Sequence, residues 1–270
     1  MGNSRKYFSL LAAAGLLASG AAQATLFDRG GGLLYDDVLK VTWLQDANYA
    51  KTSGYDADGS MTWAEANTWA DTLVYHDSVR GVDWSDWRLA RNSPVGVRWW
   101  DYRWHYEFSY DGSTDDAYNI TSPNSELSYM YYVNLGLKAY LSPAGVFQPD
   151  WGIFGNGTVD GVHNAWPFGE NDVGLVKNLQ AFGYWSGTLD LSFPDRYAWM
   201  FQPADGRQGL TDLGVVSRFA WAVRCGDVAA VPAPLTCDYL PVPVPEPETY
   251  ALFLAGLGIM GAVTRRQNQA

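Results

Sequence analysis

Two short apolar runs, one near each end of this 270-residue chain, decide how much of it is available to fold. The first follows Arg5 and Lys6, runs from Phe8 to Ala18 and stops just before Ala22-Gln23-Ala24. A positive start, an apolar stretch of about 11 residues and a small-x-small site have the plan of a secretory signal peptide, cut after Ala24. The second run, Tyr250 to Val263, ends at Arg265 and Arg266. As a helix it covers ~21 Å at ~1.5 Å per residue. That is short of the ~30 Å hydrocarbon core, so it enters a membrane but holds poorly as a permanent anchor. The arginine pair is expected to stay on the cytoplasmic side, which leaves the bulk of the chain outside. Residues 1–24 therefore read as a signal peptide, 25–230 as one folded domain, 231–248 as a proline-rich stem, and 249–270 as an apolar helix with a basic tail.

The middle has the material for a large core. The chain holds 13 Trp, 17 Tyr and 11 Phe, enough to fill a core and leave aromatics for a binding surface. Its 28 glycines suit a loop-rich domain with many tight turns. The formal charge is −11; without Arg5, Lys6, Arg265, Arg266, Glu246 and Glu248, 14 basic and 27 acidic residues remain, near −13. That balance repels nucleic acid, anionic lipid and sulfated glycans, and favours a neutral glycan, a divalent cation or a cationic partner, or else serves only to keep a secreted protein soluble. The two cysteines, Cys225 and Cys237, both lie in the exported part, where an oxidising compartment favours a disulfide. Two free thiols or a bond between chains are the alternatives.

Short strands are expected at Leu26–Arg29, Leu33–Asp36 and Val41–Leu44. Thr62-Trp63-Ala64-Glu65 has the spacing of a capping box. Apolar residues at Trp63, Ala66, Ala70, Leu73 and Val74 extend it into a predicted helix over 62–76. A second helix is expected over 124–135, with Asn124 or Ser125 as N-cap and Gly136 just past its end. A long loop-rich stretch covers 142–172. Strands follow at 184–186, 197–201 and 219–224, the last with Phe219, Trp221 and Val223 on one face. Strands early, two helices in the middle and strands late predict an α+β domain of short antiparallel strands.

Two resemblances sharpen this. Val244-Pro245-Glu246-Pro247, the glycine-laced apolar segment and the pair Arg265-Arg266 together resemble the PEP-CTERM sorting signal, over roughly 244–266. That resemblance implies processing by exosortase, a membrane peptidase of bacteria that make extracellular polysaccharide. It also implies a secreted or outer-envelope location with transient inner-membrane anchoring by the C-terminal segment. Trp43-Leu44-Gln45-Asp46-Ala47, Met61-Thr62-Trp63-Ala64-Glu65-Ala66, Asp86-Trp87-Arg88-Leu89, Tyr184-Trp185-Ser186-Gly187 and Ala220-Trp221-Ala222-Val223-Arg224 together resemble the Lcl C-terminal domain family, over nearly all of 33–227. The resemblance implies a single domain similar to the C-type-lectin-like fold, on a bacterial surface protein of a kind that includes polysaccharide-binding adhesins. Two departures stand out. Ala90 occupies a position where proline is usual, which would loosen the turn after that strand, and 97–110 looks like an insertion.

A search for chemistry finds little. His76, His105 and His163 are scattered, and no G-x-S-x-G, H-E-x-x-H, C-x-x-C or P-loop occurs in the exported domain. The adjacent acids Asp36/Asp37 and Asp115/Asp116 read as turn residues rather than a catalytic dyad. No catalytic residue is assigned, and the chain is expected not to be an enzyme. Asp56, Asp58 and Ser60 alternate around Gly59 in the manner of a Ca²⁺ loop. An EF-hand pattern fails because Asn67 stands at position 12, so a plain Asx-rich turn competes with an irregular calcium site, and no other cofactor is expected. The densest aromatic stretch supplies Trp99, Trp100, Asp101, Tyr102, Trp104 and Tyr106 as candidate sugar-stacking and hydroxyl-binding groups, with core packing as the alternative. Trp87, Trp185, Trp199 and Trp221 are assigned to the core. The function expected is a non-catalytic surface or matrix protein that binds extracellular polysaccharide. A structural envelope protein acting through protein contacts is the second reading, and a secreted hydrolase the third.

Overall fold

A computed structural model describes residues 26–95, 103–158, 169–214 and 216–230. Residues 24–241 make one compact unit, and the two ends of the chain belong to another that lies outside the described residues. The signal-peptide positions Ala22 and Ala24, Cys237, and the tail residues Pro245, Glu246, Pro247, Arg265 and Arg266 are therefore outside the description too.

The chain opens as a meander of β1 (Leu26–Asp28), β2 (Leu33–Asp36) and β3 (Val41–Leu44). The first turn is possible because Gly30, Gly31 and Gly32 all take positive φ. The second is closed by Asp36, whose buried Oδ1 accepts from the backbone N–H of Val38 and Leu39 at 2.9 and 2.8 Å. A short helix α1 (Tyr49–Thr52) and β4 (Ser60–Met61) lead to α2 (Trp63–Thr72). Next come the hairpin β5 (Tyr75–Asp77) and β6 (Val82–Trp84), then β7 (Trp87–Leu89). The middle holds β8 (Phe108–Ser109), β9 (Asp116–Ala117) and α3 (Glu126–Tyr129), which continues as a π-helical turn over Met130–Asn134. A hairpin of β10 (Glu170–Val173) and β11 (Val176–Gln180) precedes the meander β12 (Tyr184–Leu189), β13 (Tyr197–Gln202) and β14 (Arg207–Asp212). The chain closes with β15 (Arg218–Phe219) and β16 (Ala222–Cys225).

The architecture is mostly β, with few helices, so the expected α+β balance is corrected towards strand. A five-stranded sheet has the order β1-β2-β3-β16-β7, and a seven-stranded sheet has the order β4-β15-β12-β13-β14-β9-β8. The last strand thus completes the first sheet. Val223 of β16 lies opposite Trp43 of β3 on one side and Arg88 of β7 on the other.

Two expected boundaries change, and one helix changes type. The first helix stops at Thr72, because Leu73 turns extended and the chain folds back as the β5–β6 hairpin. Val74, assigned to the buried face by its helical spacing, is 61% exposed. The strand expected over 219–224 is two strands: Phe219 pairs with Ser60 and Tyr184 in the seven-stranded sheet, and Ala222 pairs with Leu89 in the five-stranded one. Phe219, Trp221 and Val223 are all buried nonetheless, because the segment passes between two sheets that share one core. The second helix keeps its expected place but changes type midway. Ser125 is its N-cap residue without a side-chain capping bond, and Gly136 follows its end with φ +63°.

The five landmark motifs meet in this core. Trp221 donates its indole N–H to Leu44 O at 2.7 Å, Trp185 to Met61 O at 2.8 Å, and Trp63 to Ser186 O at 2.8 Å. Trp43 and Trp221 pack with centroids 4.8 Å apart. Trp63, Trp185 and Trp221 are therefore struts between segments distant in sequence, while the Trp87 indole N–H stays local, on Trp84 O at 2.9 Å. Trp87, Trp185, Trp199 and Trp221 are all buried, as expected. Ala90 loosens nothing: it is fully buried, and its carbonyl accepts from Gly187 N and Ser186 Oγ at 2.8 and 3.1 Å.

Candidate ligand-binding surfaces

Of the six residues proposed as a sugar platform, Trp99, Trp100, Asp101 and Tyr102 lie outside the described residues. Trp104 and Tyr106 are described, and both stack on one partner. The Trp104 ring lies 4.7 Å from that of Trp199 at 20°, and the Tyr106 ring 6.0 Å from it at 14°. Trp199 is fully buried, so these two rings serve as its cover. Tyr106 is further fixed by its hydroxyl, which donates to Asp190 Oδ1 at 2.8 Å. Burial, with the Asp190 carboxylate adding to it, pushes that phenol above its ordinary pKa. Arg103, His105 and Glu107 line a shallow depression with them.

The Asp56–Ser60 loop spends its carboxylates on its own backbone. Asp56 Oδ1 accepts from Asp58 N and Gly59 N at 3.0 and 2.7 Å, and Asp58 Oδ1 accepts from Ser60 N at 2.8 Å. Ser60 is a strand residue, paired with Phe219. No group of three or more His, Cys, Asp or Glu able to hold a metal occurs among the described residues.

The two adjacent-acid pairs are structural. Asp36 is fully buried and accepts from Asn134 Nδ2 at 2.6 Å besides capping its turn. Asp115 is fully buried and accepts from Val95 N and His105 N at 2.7 and 2.6 Å. Burial raises both carboxyls above their ordinary range, against the hydrogen bonds that pull the other way. Asp116 pairs with Arg207 at 3.0 Å. His76 is exposed against Asp83, His105 uses its backbone to meet Asp115, and His163 lies outside the described residues. Cys225 is the last residue of β16.

Two ion pairs, one buried and one with a buried arginine on an exposed carboxylate, tie these segments together. Arg88 NH1 and NH2 donate to Glu126 Oε2 and Oε1 at 2.7 and 2.8 Å. Arg224, 1% exposed, donates through Nε and NH2 to Asp86 at 2.8 and 2.9 Å and lies 4.0 Å from the Trp84 ring centroid. These arginines are committed to the fold.

Residues 243–267 match the PEP-CTERM protein-sorting motif. The chain carries an exosortase sorting signal. It is a secreted or surface protein of the cell envelope, and exosortase, a membrane protein, is its processing partner. No curated protein and no solved structure matches the chain. Among the described residues no helix is long and apolar enough to cross a membrane.

This exosortase-sorted protein also carries an aromatic surface that the sequence reading passed over. Phe108, Tyr110, Tyr140 and Phe147 are 43, 44, 40 and 52% exposed. Phe108 and Tyr110 meet edge to face at 5.1 Å, as do Tyr140 and Phe147 at 5.2 Å. The turn Ser142–Val146 joins the two pairs: a Cβ at Gly145 would lie 3.2 Å from the Tyr110 ring. Asn119 Nδ2 holds both Tyr110 O and Leu141 O, at 2.7 and 2.8 Å. The four rings come from segments up to 39 positions apart, Phe108 from the two-residue strand β8 and the others from loops. Only the density of Phe and Tyr between glycine and serine turns could have hinted at them.

Proposed function

We propose that the protein is a non-catalytic component of the outer envelope or extracellular matrix that binds extracellular polysaccharide. The observation that carries the reading is the sorting motif over 243–267, which assigns the domain to the cell exterior. Three further points support it. The mature domain is acidic, near −13 from its sequence, which favours neutral over anionic polymers. Its adjacent carboxylates are engaged in turns and an ion pair, which fits a role without acid–base turnover. Aromatic rings stand exposed on its surface. The C-terminal segment anchors the precursor transiently in the inner membrane until exosortase acts. The domain has the loop-rich, short-stranded character of the Lcl-type, C-type-lectin-like domains it resembles. Cys237 closes a disulfide with Cys225, joining the stem to β16.

The test is retention of the processed protein on its host's own exopolysaccharide, once with Ca²⁺ and once with a chelator. Retention in both supports a metal-independent matrix lectin, and loss with chelator assigns a Ca²⁺ to Asp56, Asp58 and Ser60. No retention in either condition overturns the glycan reading. A structural envelope protein, with concentration-dependent self-association, then becomes the better account.

A further inference from the structure

Four half-exposed rings on one surface of an exported domain call for an occupant, and their size and charge decide which kind. A ring side chain presents on the order of 200 Å² when fully exposed. At 40 to 52% exposure the four therefore offer roughly 350 Å². That is within the size of the functional apolar patch of a typical monomer. It is under half of the ~800 Å² per partner that a stable protein interface covers. The area suits a few sugar rings and not a second folded domain.

Charge points the same way. The cations around the rings are already paired: Arg207 with Asp116 at 3.0 Å, and Lys138 with Asp150. Arg207 also lies over the Phe108 ring at 5.2 Å. On a domain near −13, this surface presents, among the described residues, ion-paired cations rather than ones open to a polyanion. It offers ring faces and edges with an ion-paired, hydrogen-bonding rim, which complements a ligand of C–H faces and uncharged hydroxyls. The surface is also built rather than accidental. Asn119 holds it in a left-handed conformation, φ +58°, that lets one amide clamp two loops. Gly112 at φ +75° admits the close pass of Asn119, whose carbonyl would lie 2.3 Å from any Cβ there.

We infer that Phe108, Tyr110, Tyr140 and Phe147 form the polysaccharide-binding surface, and that its ligand is a neutral glycan of pyranose units. This rests on the glycan reading above and moves its site away from Trp104 and Tyr106, which cover Trp199.

The full processed protein is run through native gels cast with dextran, galactomannan, xyloglucan, the host exopolysaccharide or anionic alginate, beside Tyr110→Ser/Phe147→Ser and the ring-keeping Tyr110→Phe/Phe147→Tyr. Melting temperatures of all three forms are read in parallel. The expected result is retardation of the parent by at least one neutral polymer and not by alginate. The serine pair should weaken it at least about 10-fold with an unchanged melting temperature, and the ring-keeping pair should restore it. Retardation of the serine pair equal to the parent overturns this site and leaves the glycan reading standing. Retardation by no polymer, the host's included, overturns both. Retardation only in alginate overturns the neutral ligand. Loss of self-association on substituting the rings, without glycan binding, makes the surface a protein contact and overturns the inference.

Discussion

A tryptophan has a broad apolar face and one N–H, so its place in a sequence does not say whether it seals a core or waits for a ligand. Trp104 illustrates this. It sits in the densest aromatic stretch of the chain, yet its face is spent on Trp199. Replacing it with alanine should cost about 2–3 kcal/mol through lost packing and stacking. Urea denaturation measures this; unchanged stability with lost glycan binding would return the sugar site to Trp104. The buried acids make a second prediction. Asp36 is raised by burial, so the folded chain keeps its proton to higher pH than the unfolded chain. Its contribution to stability is then fullest below the ordinary value of ~3.9 and falls as pH rises through the raised one. Asp36→Asn removes that titration. Its amide would face Asn134, whose Oδ1 is buried without a partner and becomes an acceptor when the Asn134 amide flips. The variant should lie within about 1 kcal/mol of the parent at pH 7. It should compare better at pH 7 than at pH 4, as denaturation curves at the two values will show. A deficit that grows with pH would refute the sign.

At the scale of elements, α2 shows which local signals survive folding. Its capping box is complete: Glu65 N donates to Thr62 Oγ1 at 3.3 Å, and Thr62 N donates to Glu65 Oε2 at 2.9 Å. The Thr62 hydroxyl and N–H hold the Glu65 carboxyl below its ordinary pKa. Thr62→Ala should cost about 1 kcal/mol and lower the melting temperature by a few degrees, and Thr62→Ser should restore most of it. The start of this helix was legible in four residues because a capping box is a local hydrogen-bond exchange. Its end was not. Leu73 and Val74 continue the helical period, but the next residues are held in the β5–β6 hairpin by Asp77. Burial alone would raise that acid, and bonds from Arg80, Trp84 and the backbone of Val79 and Arg80 bring it below its ordinary pKa. The division of 219–224 into two strands was hidden likewise, since alternation specifies a face and not the sheet it faces.

At the scale of the molecule, the domain is closed by contacts between its first and last thirds. β16 enters between β3 and β7, and Arg224 reaches Asp86 across 138 positions of sequence. Arg88 and Glu126 join β7 to α3 in the same way. Glu126→Ala leaves the Arg88 guanidinium without its carboxylate and Arg91 N without its acceptor, at 2.7 Å in the parent. It should cost about 3–5 kcal/mol, and the apolar pair Arg88→Met/Glu126→Leu should recover most of that. Equal loss in both variants, measured in urea, would mean that the pair contributes more than its own neutralisation. The motif set was legible as landmarks, but only the fold revealed that the landmarks touch one another.

The destination of this chain is legible along its sequence: the sorting motif over 243–267 is a linear string, and the apolar length against the bilayer is arithmetic on consecutive residues. Also legible were β1, β2 and β3, parts of β12 and β13, the first helix cap and the burial of four tryptophans, because these depend on neighbours a few residues away. The tertiary structure alone decided which aromatics are spent and which are free. Trp104 stacks on a partner 95 positions on, while Phe108, Tyr110, Tyr140 and Phe147 gather from two separate segments onto one surface. Exposure is a property of what lies across space, and no window along the chain contains it.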